Sequence, residues 1–204
     1  MISYKLCVPR RQIKPSADRI LEVGEALFAR RGYAAVSLRQ LIAAAGISTT
    51  AFYARFESKE QVLAALTTRL FVDLHAAAPR ALDQARDLET GIESGVELLC
   101  AQFAPRKALV RMILAEAGAS PVAVDARRRA YELLAAFLTA RFAALAGRRR
   151  IAVADPATLA WALVGALDIQ VTRWAVWDEL DLDGLRTQLI ATARAILPGR
   201  TEIS

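Results

Sequence analysis

With 204 residues, a net charge of +6, one histidine and two cysteines, the chain has room for one compact subunit or a small head on a larger body. That inventory argues against a histidine-built metal centre or a disulfide framework. No nucleophile–base constellation and no phosphate-binding glycine loop points to an enzyme, and no cofactor is expected.

A hydrophobic fraction of 55% and a mean hydropathy of +0.28 suggest either membrane insertion or apolar surface hidden in an oligomer. The apolar run from Pro156 to Leu167 is interrupted by Asp168, short of the roughly 20 residues a bilayer requires. The N-terminal MISYKLCVPRR has too small an apolar stretch for a signal peptide. A cytoplasmic oligomer with no membrane contact is therefore expected. Cys7 in a basic tail and Cys100 in an apolar helix read as two unpaired thiols, with a redox role at Cys7 as the alternative.

Charge is unevenly placed. Residues 1–60 hold ten Lys/Arg against five Asp/Glu, whereas residues 61–204 hold 17 against 16. Clustered cations displace counterions from phosphates, so the first third is the candidate polyanion surface.

In chain order, sparse Gly and Pro and abundant Ala, Leu and Arg predict an all-α chain of about nine helices. The first begins after Ser16 and stops at Gly32. Ser37 with Gln40 and Ser58 with Gln61 have capping-box spacing. Gly46 separates Leu38–Ala45 from a short helix capped by Ser48. A fourth helix is expected from Lys59 to about His75, with a break at Pro79 and His75 as a capping residue. Further helices are expected over 88–104, 106–117 and 122–146. Asp155–Pro156 opens a helix to about Trp177, and a last one spans 183–197.

The segment 37–56 then reads as two short helices joined at a glycine turn, the arrangement that projects one helix into a major groove. The second starts Ser48, Thr49, Thr50, Ala51, small side chains that can approach base edges closely. Phe52 and Phe56, four apart, can hold it against a core. Tyr53, Arg55 and Lys59 offer phosphate donors on the adjacent rim.

The stretch RILEVGEALFARRGYAAVSLRQLIAAAGISTTAFYARFESKEQVL closely resembles the DNA-binding head of the TetR (tetracycline-repressor-like) family. The likeness is carried by Phe28, Gly32, Tyr33, Ser37, Leu41, Gly46, Ser48, Tyr53, Phe56, Ser58 and Lys59, among others. It implies phosphate contacts at Tyr53 and Lys59, base contacts at Thr49, Thr50 and Ala51, and backbone contacts at Ser37 and Arg39. The basic arm with Arg10, Arg11 and Lys14 would add phosphate or minor-groove contacts. Gly24 departs from the usual alanine and should soften the first helix; Ile42, Ala51 and Ala54 also depart, which leaves the operator sequence open.

The domains expected are a basic arm over 1–15, a DNA-binding head over 16–58 and an effector-binding and dimerisation body over 59–204. The helix from Asp155 is apolar all round and so needs cover on every side. A second copy is expected to supply it through Leu163, Leu167, Asp168 and Trp174, together with Leu185, Leu189, Ala193 and Ile196 of the last helix. The resemblance implies the same pairing of the last two helices into a homodimer that reads a palindromic operator. It also implies an effector cavity among the middle helices, with Phe103, Met112, Tyr131 and Trp161 as candidate walls. Arg127–Arg129 and Arg148–Arg150 read as solvated faces. The function expected is a ligand-responsive repressor on double-stranded operator DNA, its effector largely apolar. The alternative is an architectural or nucleoid-associated DNA binder without ligand control.

Overall fold

A computed structural model describes residues 17–115, 120–147 and 155–197. Arg10, Arg11, Lys14, Cys7 and Arg148–Arg150 lie outside them. The described residues form nine α-helices and one 3-10 turn, with no strand.

The head is built from α1 (Ala17–Arg31), α2 (Leu38–Ala45) and α3 (Thr49–Tyr53). Ile20, Leu27 and Phe28 of α1, Leu41 of α2 and Phe52 of α3 are all buried, so one apolar stripe from each helix meets in a common core. At Ser37 the capping box closes: its Oγ accepts from Gln40 N at 3.2 Å, and its own N donates to Gln40 Oε1 at 2.8 Å. Gly46 takes the left-handed conformation at φ 67°, and its N–H reaches the Ala43 carbonyl at 3.1 Å. That cap ends α2 and turns the chain sharply into α3.

Gly24 does more than soften α1. A Cβ there would stand 3.1 Å from Val62 Cγ1 and 3.5 Å from Leu41 Cδ1. Its missing side chain lets α1 approach α4 (Lys59–Asp83) closely.

The helix α4 departs from expectation in two ways. Ser58 Oγ caps it by accepting from Gln61 N at 3.3 Å, but Gln61 Oε1 accepts from Glu57 N at 3.0 Å rather than from Ser58, so the second capping box is only half formed. The helix also runs through Pro79 to Asp83 instead of breaking there. Pro79 is exposed and removes one donor, the one that would reach the His75 carbonyl. The buried stripe Leu66, Leu70, Leu74 and Ala78 carries the helix past that loss. His75 is consequently mid-helix and does not cap. Its ring meets Phe137 edge-on at 5.4 Å, and its buried Nδ1 has no hydrogen-bond partner.

The body adds α5 (Leu88–Phe103), the 3-10 turn Ala104–Arg106, α6 (Lys107–Ala115), α7 (Pro121–Gly147), α8 (Pro156–Ala175) and α9 (Leu182–Ile196). Aspartates cap three of these: Asp87 accepts from Thr90 N at 2.8 Å, Asp155 from Ala157 N at 3.0 Å and Asp181 from Gly184 N at 2.7 Å. Central α4 packs on α1, α5 and α7; α8 packs on α6, α7 and α9, and α9 closes against α5. Among the described residues only α7, not the Pro156–Leu167 run, is long and apolar enough to cross a bilayer, and here it lies against α4 and α8. It buries Ala123, Ala126, Ala130 and Ala135, small residues that let neighbours approach.

Head and body share one continuous apolar core. A polar strut adds to it: Arg106 of the 3-10 turn lies 3.5 Å from Glu25 of α1 and 3.3 Å from Asp73 of α4.

Candidate nucleic-acid interface and effector cavity

The helix α3 has five residues, too few to be stable alone. Two anchors hold it: Phe52 is fully buried and Phe56 nearly so, their rings 6.0 Å apart. Ser48 caps it by accepting from Ala51 N at 3.1 Å. With the phenylalanines turned inward, Ser48, Thr49 and Thr50 are exposed on the opposite side, and Ala51 is half-buried. Tyr53 is 53% exposed, unusual for an aromatic ring, and Arg55 is exposed beside it. Ser37 and Arg39 are exposed at the start of α2. Short hydroxyls at a helix start, rimmed by two arginines and a phenol, match what a major groove presents.

Lys59 differs from its expected place on that rim. Its ammonium donates to the carbonyls of Tyr33 at 2.9 Å and Val36 at 2.8 Å, and lies 4.1 Å from the Tyr33 ring centroid. Two of its three protons are thus committed within the head. Nothing in the sequence signals that clasp, because its acceptors are backbone carbonyls more than twenty positions away.

The body holds a cavity of about 300 Å³, at the small end for ligand sites. Its wall comes from α4, α5, α7, α8 and α9, with Leu82, Ile92, Phe137, Phe142, Leu163 and Leu189 among the lining residues. None of the four expected wall residues lines it. Met112 is packed core, and Trp161 is 47% exposed on the outer side of α8. Phe103 and Tyr131 instead line a second cavity of about 40 Å³, together with Phe71 and Asp168. Chain position alone could not separate cavity leucines from core leucines, since both sit on inward stripes.

Tyr131 of α7 donates its hydroxyl to Asp168 of α8. Burial, reinforced by the carboxylate, pushes the phenol well above its ordinary range. Phe71 packs edge-on against both Tyr131 and Phe103, at 6.0 Å each. Asp168, expected at the dimer interface, thus accepts a bond inside the subunit. Gln170 is likewise turned inward, donating to Thr192 at 3.2 Å.

The other residues expected at the dimer face also turn inward. Leu163, Trp174, Leu185, Leu189 and Ala193 are all buried within the subunit, and Leu167 and Ile196 are half-buried against its core. The uncovered side of α8 is a different stripe, with Trp161, Gly165 and Ile169 exposed at four-residue spacing and Trp177 just past its end. On α9 the uncovered stripe is Thr187, Ala191 and Ala195.

Residues 20–66 match the family model described as bacterial regulatory proteins, tetR family. No match was found among curated proteins. Solved structures share the whole fold. A protein from Syntrophomonas wolfei, assigned to the TetR-family transcriptional regulators, superposes with a TM-score of 0.80 at 18% identity, covering 88% of this chain and 93% of its own. The fatty acid degradation regulator FadR from Bacillus halodurans gives 0.75 at 20% identity, covering 88% and 94%. Thermus thermophilus FadR, a TetR-family repressor in complex with lauroyl-CoA, gives 0.70 at 21% identity, covering 89% and 93%. Residues 20–66 thus carry the tetR-family likeness by sequence, and the described residues share the fold of TetR-family transcriptional regulators.

Proposed function

We propose that the chain is a cytoplasmic repressor that binds a palindromic operator as a homodimer and is released by a largely apolar small molecule. The carrying observation is the short α3, pinned by Phe52 and Phe56 so that Thr49, Thr50 and Tyr53 face outward beside exposed Arg39 and Arg55. Thr49, Thr50 and Ala51 read bases; Ser37, Ser48, Tyr53, Arg39 and Arg55 hold the flanking backbone, joined by Arg10, Arg11 and Lys14 of the arm. The head is taken as residues 16–58 and the body as 59–204, with α4 bridging the two.

A second copy covers the outer stripes of α8 and α9. Exposed indole and isoleucine side chains gain cover there, while Gly165, Ala191 and Ala195 let the helices of two subunits approach closely. The two-fold axis of such a pair sets two α3 helices on successive major grooves.

The cavity supplies the sensing half, and it is what favours this reading over an architectural DNA binder. A relative with the same fold carries lauroyl-CoA, consistent with a mostly aliphatic wall. Filling the cavity bears on α4, which begins beside the α3 turn and is tied to α1 through Arg106, Asp73 and Glu25. The effector shifts the equilibrium only by its differential affinity for the two head spacings.

The test is fluorescence anisotropy of the full chain on its own upstream DNA, across a salt series. Steeply salt-dependent binding to one palindromic segment, reversed by an apolar compound, supports the reading. Equal affinity for unrelated duplexes overturns it.

A further inference from the structure

We propose that the ion pair between Arg141 of α7 and Asp83 of α4 is a side-chain gate on the mouth of the body cavity, through which an apolar molecule enters and leaves. This rests on the effector reading above and adds the route by which the cavity fills.

The mouth is located by exposure. Among the described residues that line the cavity, only Asp83, Asp87 and Ala144 are exposed. They come from the end of α4, the residue before α5 and the last turn of α7, so the cavity meets solvent where these three segments converge. On the side of α8 and α9, Leu163, Leu189, Ala193 and Leu197 are buried and close the wall. Asp83 is the last residue of α4 and Lys59 the first, about 36 Å apart at 1.5 Å per residue. The mouth is therefore at the end of α4 opposite the head.

Arg141 is the bar across it. It lines the cavity, its Nη1 lies 2.8 Å from Asp83 Oδ1, and the same guanidinium donates to the Leu82 carbonyl. One side chain of α7 thus ties down the last turn of α4 at the opening. Releasing that tie strands nothing. The Leu82 carbonyl keeps the bond from Ala85 N at 3.2 Å, and the Asp83 carboxylate, 67% exposed, passes to water. Asp87 stays in place as the cap of α5, accepting from Thr90 N. An exposed ion pair holds weakly in water, so the guanidinium can swing out with no movement of the backbone.

Rotamer changes of exposed side chains take nanoseconds or less, faster than a dilute ligand arrives. The entry rate is then the rate through an open mouth multiplied by the open fraction, and the exit rate scales by the same fraction. A gate of this kind moves both rates and leaves the equilibrium affinity alone. A guanidinium that held the ligand itself would change the affinity.

The experiment mixes the full chain, without DNA, with N-phenyl-1-naphthylamine, an uncharged apolar probe that brightens on leaving water, in a stopped-flow fluorimeter. Arg141→Met should raise entry and exit rates together by about threefold, the factor an exposed ion pair is worth, while the dissociation constant moves less than about twofold. Asp83→Asn should do the same to a smaller extent, and Arg141→Lys should restore the wild-type rates in part. Salt screens exposed pairs, so about 0.5 M sodium chloride should speed entry into the wild type and not into Arg141→Met. Ala144→Trp, at an exposed position of the mouth, should slow entry. Should Arg141→Met not fold, Asp83→Asn and the salt series still decide. Rates that these changes leave in place, an affinity that falls with the exit rate alone, or entry indifferent to Ala144→Trp overturns the gate; the effector reading then stands, because the probe binds. A probe that binds at no concentration overturns the gate and the sensing half together. If the gate holds but operator binding is absent, the repressor reading fails alone.

Discussion

The ammonium of Lys59 sits 4.1 Å from the ring centroid of Tyr33 while donating to the Tyr33 carbonyl at 2.9 Å, so one residue holds both the ring and the backbone of the other. The Tyr33 hydroxyl returns to Glu60 at 3.2 Å. The loop before α2 is thereby clasped to the first turn of α4, and the motif cannot shift without α4. The residue expected to touch DNA is also a structural tie within the head.

Lys59→Met should accordingly lower the unfolding free energy by about 2 kcal/mol, the sum of two charge-assisted bonds partly offset by solvent. Urea denaturation measures it. A residue serving only as a phosphate donor would leave the midpoint unchanged.

Arg39 and Arg55 are exposed on the proposed DNA rim. The double variant Arg39→Gln, Arg55→Gln should reduce the slope of log affinity against log salt by about 1.8 per head, at 0.9 per lost phosphate contact. Stability should move by less than about 0.5 kcal/mol. Thr50→Ala should instead change the ranking of operator variants, and a uniform loss across them would mark Thr50 as a positioning group.

The outer stripe of α8 and the buried stripe of α9 make opposite predictions. Ile169→Glu, at a position 43% exposed, should give a folded monomer on size exclusion with weakened operator binding. Leu189→Ala, fully buried in the same subunit, should cost about 2–5 kcal/mol of stability without selecting monomer. If Ile169→Glu stays dimeric, the second copy does not dock there.

Tyr131 couples stability to alkaline pH. Its phenol is raised above the ordinary value near 10 by burial and by Asp168, so the folded state keeps a proton that the unfolded chain releases. That contribution is complete below pH 10 and declines as pH rises further. Tyr131→Phe should be less stable than wild type at pH 8, by about 1–3 kcal/mol for the donor Asp168 loses, with the gap narrowing above pH 10. A gap that stays constant through pH 11 would rule out the linkage.

His75 carries a buried nitrogen without a partner beside Phe137. His75→Phe keeps the edge-on ring contact and removes the orphan, so the thermal midpoint should rise, by about 1 kcal/mol of stability. A fall would mean that Nδ1 has a partner in solution.

Most of the architecture follows from local rules that act within a few residues. Ser37 with Gln40, Gly46, Ser48 and Asp155 with Pro156 stop and start helices where their short-range chemistry says, and Phe52 with Phe56 orients α3 by spacing alone. The arrangement past Pro79 did not follow, because the cost of one lost donor was outweighed by a buried stripe whose partners lie on other helices.

The amino-acid sequence by itself determined the all-helical character, the caps, the motif and its outward hydroxyls, since each depends on neighbours three or four positions apart. Only the tertiary structure decided which side of α8 faces the core, which leucines wall a cavity, and where the ammonium of Lys59 goes. Those outcomes depend on helices distant in the chain competing for the same apolar surface. A stripe such as Leu163–Leu167 or Trp161–Ile169 is equally hydrophobic on either side until its neighbours are in place.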